Sequence, residues 1–161
     1  MNTRPKTQTL SQQDLQSILA VTRALAAPFD LTSMLAAVTA SACQVLQAER
    51  ASVWLHDSTS GELVLKVARD IRDVRLPLGV GLVGACARDR MPINVPDCYA
   101  DARFDAEIDR QSGFRTRCSL TLPLIDHLGT LVGVMQLLNK VAGVFETGDT
   151  LLAEALAAQC A

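Results

Sequence analysis

The sequence has few of the residue types and patterns that mark metal sites, disulfide frameworks or nucleic-acid binding. Its two histidines, His56 and His127, lie far apart, so metal or haem ligation is not expected. The five cysteines are odd in number and show neither CxxC nor Cys/His ligand spacing, which favours reduced thiols in a cytosolic protein. The net charge of −2 is spread through the chain and gives no electrostatic footprint for nucleic acid.

Signals for secretion, membrane insertion and catalysis are also missing. Residues 1–10 contain no apolar core of a signal peptide. Residues 32–48 are uncharged, but Ser, Thr and Gln recur there at helical spacing, so they do not predict a membrane span. No acid–base or nucleophilic constellation can be assembled, because both histidines are remote from any suitable Ser or Cys. We therefore expect a cytoplasmic protein without catalytic residues.

The length of 161 residues predicts one domain. The polar residues 1–9 are expected to be a disordered tail, and residues 10–161 to form the domain. The last helix keeps an apolar stripe up to the end of the sequence, with no glycine cap and no basic last turn. This pattern predicts a fragment of a larger signalling protein, whose helix continues into an output domain. The stripe consists of Leu151, Leu152, Ala155 and Leu156.

Hydrophobic periodicity predicts an α+β fold. Ser11 with Asp14 forms a capping box for a first helix, Pro28 ends it, and Asp30 caps a second one. From Arg50 the period changes to two, which indicates an antiparallel hairpin. The remaining predicted elements are an extended edge at 74–78, helices at 82–89 and 102–110, an extended segment at 91–96, strands at 118–124 and 130–139, and the final helix. We expect a twisted sheet of five or six strands with the terminal helices on one face and a pocket on the other.

Two glycines, Gly79 and Gly81, lie directly before the short predicted helix at 82–89, and Gly84 lies in its first turn. Glycines at a turn into a helix let backbone N–H groups approach a ligand, and the helix start favours an anion such as phosphate. A polar segment follows at residues 97–116, which we call the lid. The pattern predicts a lidded pocket for a small anionic molecule, with a long surface loop as the alternative. Gln136, the polar residue within an apolar strand, either bonds a neighbouring loop or reads a polar ligand edge.

The order of elements resembles a GAF domain from about Leu15 to Ala161. The segments Asn94-Val-Pro-Asp-Cys-Tyr-Ala-Asp and Ser112-Gly-Phe-Arg-Thr-Arg-Cys-Ser look like the cyclic-nucleotide-binding GAF domains of phosphodiesterases and bacterial adenylyl cyclases. Four residues match most of the Asn-Lys-Phe-Asp-Glu signature of that subgroup, whose final Glu is replaced here by Thr150. They are Asn139, Lys140, Phe145 and Asp149. The resemblance implies that Lys140 pairs with Asp149 and braces the lid.

The resemblance also implies a ligand site between sheet and lid, holding cAMP or cGMP without any covalent cofactor. Leu82 and Val83 correspond to residues whose amides hold the cyclic phosphate. Asp105 stands where a tyrosine can reach the phosphate, and an aspartate there would repel that anion. The other positions carried over are Ser52, Ala68 and Arg69 for the base, Asp109, Ser112 and Thr116 in the lid for base or ribose, and Gln136 near the ligand.

Three functions are compatible with this resemblance. The first is a regulatory sensor that binds a cyclic nucleotide, forms a homodimer through its terminal helices and relays the signal to a downstream effector domain. The second is a dimerisation or interaction module without a nucleotide. The third is a free methionine sulfoxide reductase, but the Gly-Val-Cys-Gly turn of those enzymes is here Gly81-Leu-Val-Gly84, with Val83 in place of the thiol. We therefore expect no enzyme, and the absence of a Cys-His pair in the lid gives no support for bilin attachment.

Overall fold

The computed structural model describes residues 12–13, 15–19, 30–69 and 74–161. The chain divides into two compact units, Met1–Asp30 and Leu31–Ala161. In the first unit, residues 12–13 and 15–19 are helical. The expected tail at residues 1–9, the cap formed by Ser11 with Asp14, and the helix stop at Pro28 lie outside the described residues.

The second unit contains one antiparallel sheet of six strands in the order β3-β2-β1-β6-β5-β4. This confirms the predicted α+β architecture. The elements follow the chain as α1 (Leu31–Leu46), β1 (Ala48–Asp57), β2 (Glu62–Val67), β3 (Arg75–Pro77), α2 (Gly81–Asp89), β4 (Ile93–Val95), a 3-10 turn (Cys98–Ala100), α3 (Glu107–Ser112), β5 (Ser119–Ile125), β6 (Leu131–Lys140) and α4 (Thr147–Cys160). No helix among the described residues is long and apolar enough to cross a membrane.

One face of the sheet, which we call the helix face, packs against α1 and α4. Period-two alternation places every second residue of β1, β5 and β6 on this face. The fully buried side chains there include Val53, Leu120, Leu122, Met135 and Leu137. From α1 the buried residues are Leu35, Thr39, Ala42 and Leu46, at the spacing that keeps one helical face turned to the sheet.

Helix α4 contributes small residues to this layer. Its buried residues are Ala153 and Ala157, whereas Leu151 and Leu152 are exposed. Leu151 and Leu152 of the predicted stripe therefore do not form the sheet contact of this helix, whereas Leu156 is partly buried against the core. The residues of α4 that are fully packed on the sheet are the two alanines. An apolar surface remains on its outer side.

The opposite face, which we call the pocket face, carries Ser52 and Trp54 from β1 and Gln136 from β6. Helix α2 packs over it with buried Leu82, Val83, Ala85, Cys86 and Ala87. Gly84 allows this helix to begin against the preceding turn, because a Cβ at that position would lie 2.8 Å from the carbonyl oxygen of Pro77. The start of α2 is thereby fixed at the edge of the pocket face.

The lid differs from the sequence prediction in one element. The predicted helix at 102–110 is wrong in its bounds, since α3 runs from Glu107 to Ser112. Asp101 accepts a hydrogen bond from the N–H of Arg103 (2.9 Å), and Asp105 accepts one from the N–H of Glu107 (2.9 Å). Aspartates bonded to nearby backbone N–H groups favour turns and helix starts over helix interiors. The helix therefore begins only after both of these turns.

Gly133 offers a direct test of the strand packing. A Cβ there would collide with the carbonyl oxygen of Trp54 on β1, so Gly133→Ala is expected to destabilise the fold by about 3 kcal/mol or more. Gly148 in α4 has open space around its Cα and serves as the control. Gly148→Ala should leave stability unchanged or raise it by about 0.5–1 kcal/mol. Urea denaturation midpoints measure both, and equal losses for the two variants would contradict the packing.

Candidate functional site

A cavity of about 130 Å³ lies between the pocket face, the start of α2 and the lid. The structure brings together around it all ten residues that the resemblance assigned to ligand binding. They are Ser52, Ala68, Arg69, Leu82, Val83, Asp105, Asp109, Ser112, Thr116 and Gln136. Ligand pockets commonly measure about 300–1,000 Å³. A molecule of nucleotide size therefore requires the lid or its side chains to move outward.

Several lining residues were not predicted. They are mostly apolar or aromatic and include Arg50, Trp54, Leu65, Leu76, Phe104, Ile108, Phe114 and Leu138. Alternation along β1 and β6 was a signal for Trp54 and Leu138, which share the pocket face with Ser52 and Gln136. Arg50 and Phe114 meet only through the tertiary fold.

The sheet side of the cavity presents polar side chains in one row. Ser52 and Gln136 are paired across β1 and β6. Ser52 is buried and accepts a hydrogen bond from the indole N–H of Trp54 (3.2 Å). The side-chain amide of Gln136 makes no hydrogen bond to any described residue, although Gln136 lines the cavity. Within the described ranges, no loop bonds this amide, so its donors and acceptor are open to a ligand on the side that the structure describes.

The start of α2 supplies backbone donors. Gly79 and Gly81 take positive φ angles of 84° and 66°, a region that favours glycine. The N–H of Gly84 bonds to Val80, the cap residue, whose own side chain makes no capping bond. Among the described residues none accepts a hydrogen bond from the N–H of Leu82 or Val83. Both residues line the cavity, so a helix start with unsatisfied donors borders it.

Asp109 organises the lid from within. It is only 7% exposed and accepts three hydrogen bonds, from the hydroxyl of Tyr99 (2.8 Å), the N–H of Thr116 (2.7 Å) and the hydroxyl of Thr116 (2.7 Å). Donation to this carboxylate raises the pKa of Tyr99. Because an ionised carboxylate offers about four acceptor positions, these bonds occupy most of the capacity of Asp109. Its side chain fixes the shape of the lid.

The lid is attached to the body by two kinds of contact. On the cavity side, the guanidinium of Arg50 lies 4.0 Å from the ring centroid of Phe114, a cation–π contact. At the other end, buried Asn139 donates to the carbonyl of Arg115 (2.8 Å) and accepts from the N–H of Arg117 (2.6 Å). Arg117 in turn donates to the carbonyl of Lys140 (2.7 Å). The end of the lid is therefore hydrogen-bonded to the last residues of β6.

Lys140 and Asp149 form the pair that the resemblance implied, with Nζ 2.6 Å from Oδ1 and side chains 15% and 17% exposed. Burial alone would raise the pKa of Asp149, but the N–H of Glu146 and the ammonium of Lys140 outweigh it and hold that pKa below its usual value. Asp149 and Glu146 also form a capping box at the start of α4. The pair connects the end of β6 to α4, and the lid reaches it through the carbonyl of Lys140.

Charge around the cavity is balanced. The cavity is lined by two positive side chains, Arg50 and Arg69, and by two negative ones, Asp105 and Asp109. Asp105 is exposed, and one of its oxygens already accepts the N–H of Glu107. Water and salt screen an exposed carboxylate, so its repulsion of a bound anion is weaker than that of a buried one.

The cysteines near this face are buried thiols. Burial raises the pKa of Cys86 to about 12 and that of Cys98 to about 11. Both thiols therefore stay protonated at neutral pH, whereas a nucleophilic cysteine needs its thiolate form. Within the described ranges, no three His, Cys, Asp or Glu side chains form a group that could hold a metal ion.

The Lys140–Asp149 pair predicts a pH dependence of stability. A carboxyl whose pKa is lowered by folding stabilises the fold above its unfolded pKa, and that contribution is lost as pH falls through the folded value. Asp149→Asn should cost about 1 kcal/mol at pH 7, with the difference from the wild type closing below pH 3.8, the ordinary value. Urea unfolding at several pH values measures it. Glu154→Gln, an exposed change in α4, is the control, and a difference that persists unchanged at pH 2 would contradict the assignment.

Comparison with known proteins places this geometry in a family. The family model described as GAF domain matches residues 30–161. The dual 3',5'-cyclic-AMP and -GMP phosphodiesterase 11 of Drosophila melanogaster is 42% identical over 71 residues, which are 44% of this chain and 5% of that protein. The chain thus spans only a small part of the length of the curated relatives that it matches.

Solved structures show the same fold over most of the chain. The GAF domain of a phosphoenolpyruvate-protein phosphotransferase from Coxiella burnetii aligns with a TM-score of 0.73 at 23% identity, covering 91% of this chain and 89% of that one. Free methionine-R-sulfoxide reductase from Neisseria meningitidis aligns with a TM-score of 0.68 at 22% identity, covering 92% and 88%. At such identities the likeness concerns the fold. Together with the family match over residues 30–161, it shows that the chain belongs to the GAF domain family.

Proposed function

We propose that this domain is a regulatory sensor that binds cAMP or cGMP in the cavity and relays binding to a downstream effector domain through α4. The observation that carries the proposal is the convergence of three features on one cavity. These are the unsatisfied backbone amides at the start of α2, the unbonded side-chain amide of Gln136 on the sheet, and a lid held in shape by hydrogen bonds to Asp109. The matched relative, whose name refers to both cyclic nucleotides, supports the same ligand class.

The cavity offers each part of a cyclic nucleotide a matching environment. The amides of Leu82 and Val83 suit the cyclic phosphate. Gln136 and Ser52 suit the polar edge of a purine, and the rings of Phe114 and Trp54 suit its faces. Arg69 is exposed among the lining residues, where it suits the phosphate or the purine edge. Ser112 and Thr116 would contact the ribose or the base, as the resemblance implied.

A continuous set of contacts leads from the lid to α4. Arg117 follows the lid and bonds the carbonyl of Lys140, whose ammonium pairs with Asp149 at the start of α4. A ligand that favours one lid position therefore acts on the helix that would join an output domain. For such a shift to matter, the ligand must prefer one state by a few kcal/mol.

We also propose that the domain has no chemistry of its own. Reduction of methionine sulfoxide needs a low-pKa cysteine, which the resemblance placed in the turn before the short helix, and Val83 stands there in this chain. Cys86, three residues later, is buried with its pKa raised to about 12 by burial. The five cysteines are free, which supports a reducing, cytoplasmic location.

The exposed apolar surface of α1 and α4 favours a second property, homodimerisation. Leu151 and Leu152 on α4 and Leu31 and Val45 on α1 are exposed. Apolar side chains on the outer side of two packed helices suit a helical interface with a second copy. The domain would dimerise through this surface whether or not it binds a nucleotide, which is the alternative function as an interaction module.

Calorimetric titration with cAMP and cGMP tests the ligand proposal. Asp105→Tyr should tighten binding by up to about fivefold, since it removes an exposed repelling charge and adds a donor near the phosphate. Asp105→Asn should give a smaller gain, because it removes only the charge. Asp97→Asn, an exposed change at the far end of the lid that does not line the cavity, is the control. If neither the wild type nor Asp105→Tyr bound either nucleotide, the interaction module would become the leading function.

Light scattering over a range of concentrations tests the dimer. Leu151, 64% exposed on α4, should be part of the interface, so Leu151→Glu is expected to shift the protein to monomer. Leu128, 77% exposed in the β5–β6 turn, gives the matched control, and Leu128→Glu should leave the dimer intact. A wild type that stays monomeric at every concentration would exclude this assembly.

A further inference from the structure

Two buried hydroxyls on β5 have no hydrogen-bond partner. Ser119 Oγ and Thr121 Oγ1 are both in fully buried residues, and neither is satisfied by a described residue. An unsatisfied buried polar group costs about 1–3 kcal/mol. Valine or alanine at these positions would avoid that cost, so an unpaired hydroxyl beside another open polar side chain indicates an interaction that forms in another state of the site.

The strand register separates the two hydroxyls. Thr121 is paired with Gln136 on β6, and Gln136 is paired on its other side with Ser52 on β1. Directly opposed residues place their side chains on the same sheet face, with Cβ atoms about 4.5–5.5 Å apart. Thr121, Gln136 and Ser52 thus form a polar row across three strands. Ser119 is paired with Leu138 and Val95, which are apolar, and the polar group beside it is the thiol of Cys98.

The donor and acceptor roles along the row are set by Trp54. The indole of Trp54 is only a donor, and it bonds Ser52 Oγ. The proton of Ser52 is then available for the carbonyl oxygen of the Gln136 amide. With its oxygen bonded to Ser52, the amide would direct its NH₂ group toward Thr121, whose hydroxyl can accept. Each side chain of the row would then have at least one partner.

We propose that Thr121 is a positioning residue, whose hydroxyl accepts a hydrogen bond from the Gln136 amide when a ligand occupies the cavity and so fixes the orientation in which Gln136 reads it. This inference rests on the proposed cyclic-nucleotide function. One lone pair of the amide oxygen and one N–H of Gln136 then remain for the ligand, and the positions of the oxygen and the nitrogen are fixed. Adenine carries an amino donor at C6 where guanine carries a carbonyl acceptor, so a fixed amide distinguishes the two. Thr121 therefore sets the preference between cAMP and cGMP without touching either.

The ratio of the two Kd values, measured by calorimetry, tests the proposal. Thr121→Val keeps the shape and removes the hydroxyl, so it should move the ratio toward one by about three- to tenfold, the factor that one hydrogen bond supplies. Thr121→Ser retains the hydroxyl and should retain the preference. Ser119→Ala is the matched control, because it removes the other unpaired hydroxyl from the same strand and face. Its ratio should equal that of the wild type.

Stability provides a second measurement that does not depend on a ligand. Thr121→Val should not lower the urea midpoint, since the hydroxyl it removes is unsatisfied in the ligand-free fold. A midpoint clearly lowered by Thr121→Val would show that the hydroxyl is already bonded without a ligand and would overturn the inference.

The outcomes separate this inference from the proposed function. If the wild type binds a cyclic nucleotide and Thr121→Val leaves the ratio of Kd values unchanged, the inference is overturned and the function stands. If the wild type binds neither nucleotide, the proposed function fails, and this inference, which rests on it, fails with it.

Discussion

The hydrogen bonds of Asn139 hold the candidate site together. This residue is 2% exposed and sits at a φ of 57°, a left-handed conformation that asparagine tolerates better than most residues. Its amide bonds the carbonyl of Arg115 and the N–H of Arg117, and it also donates to Glu49 at 3.2 Å. One side chain thus ties the end of β6 to β1 and to the end of the lid. The cavity exists because the lid returns to the sheet at this point.

The two ends of the lid are held with different strength. The end near Asn139 is anchored by buried hydrogen bonds, and Asp109 keeps the lid rigid through three further bonds. The cavity side is held by the Arg50–Phe114 contact, a type worth about 0.5–1 kcal/mol at exposed sites. The cavity of about 130 Å³ is smaller than common ligand pockets. We expect a larger ligand to displace the cation–π contact before the buried hydrogen bonds of Asn139.

The sequence predicted what depends on local pattern and on family motifs. The change to period-two spacing at Arg50 predicted the strands, because a strand places successive side chains on opposite sides. The bounds of α3 were wrong because the side chains of Asp101 and Asp105 bond nearby N–H groups and delay the helix. Arg50 and Phe114 were missed because their contact joins residues far apart in sequence and leaves no periodic signal. The unpaired hydroxyl of Thr121 is likewise invisible before the register with Gln136 is known.

The affinity of a ligand and the size of the conformational response to it are separate quantities in such a site. A Kd of about 1 μM corresponds to about 8 kcal/mol. This value is already net of breaking a cation–π contact, about 1 kcal/mol, and of ordering lid side chains, about 0.5–1.5 kcal/mol for each one. Only a difference of a few kcal/mol in ligand affinity between two lid states changes their populations. Under the proposed function, that difference would reach α4 through Arg117 and the Lys140–Asp149 pair.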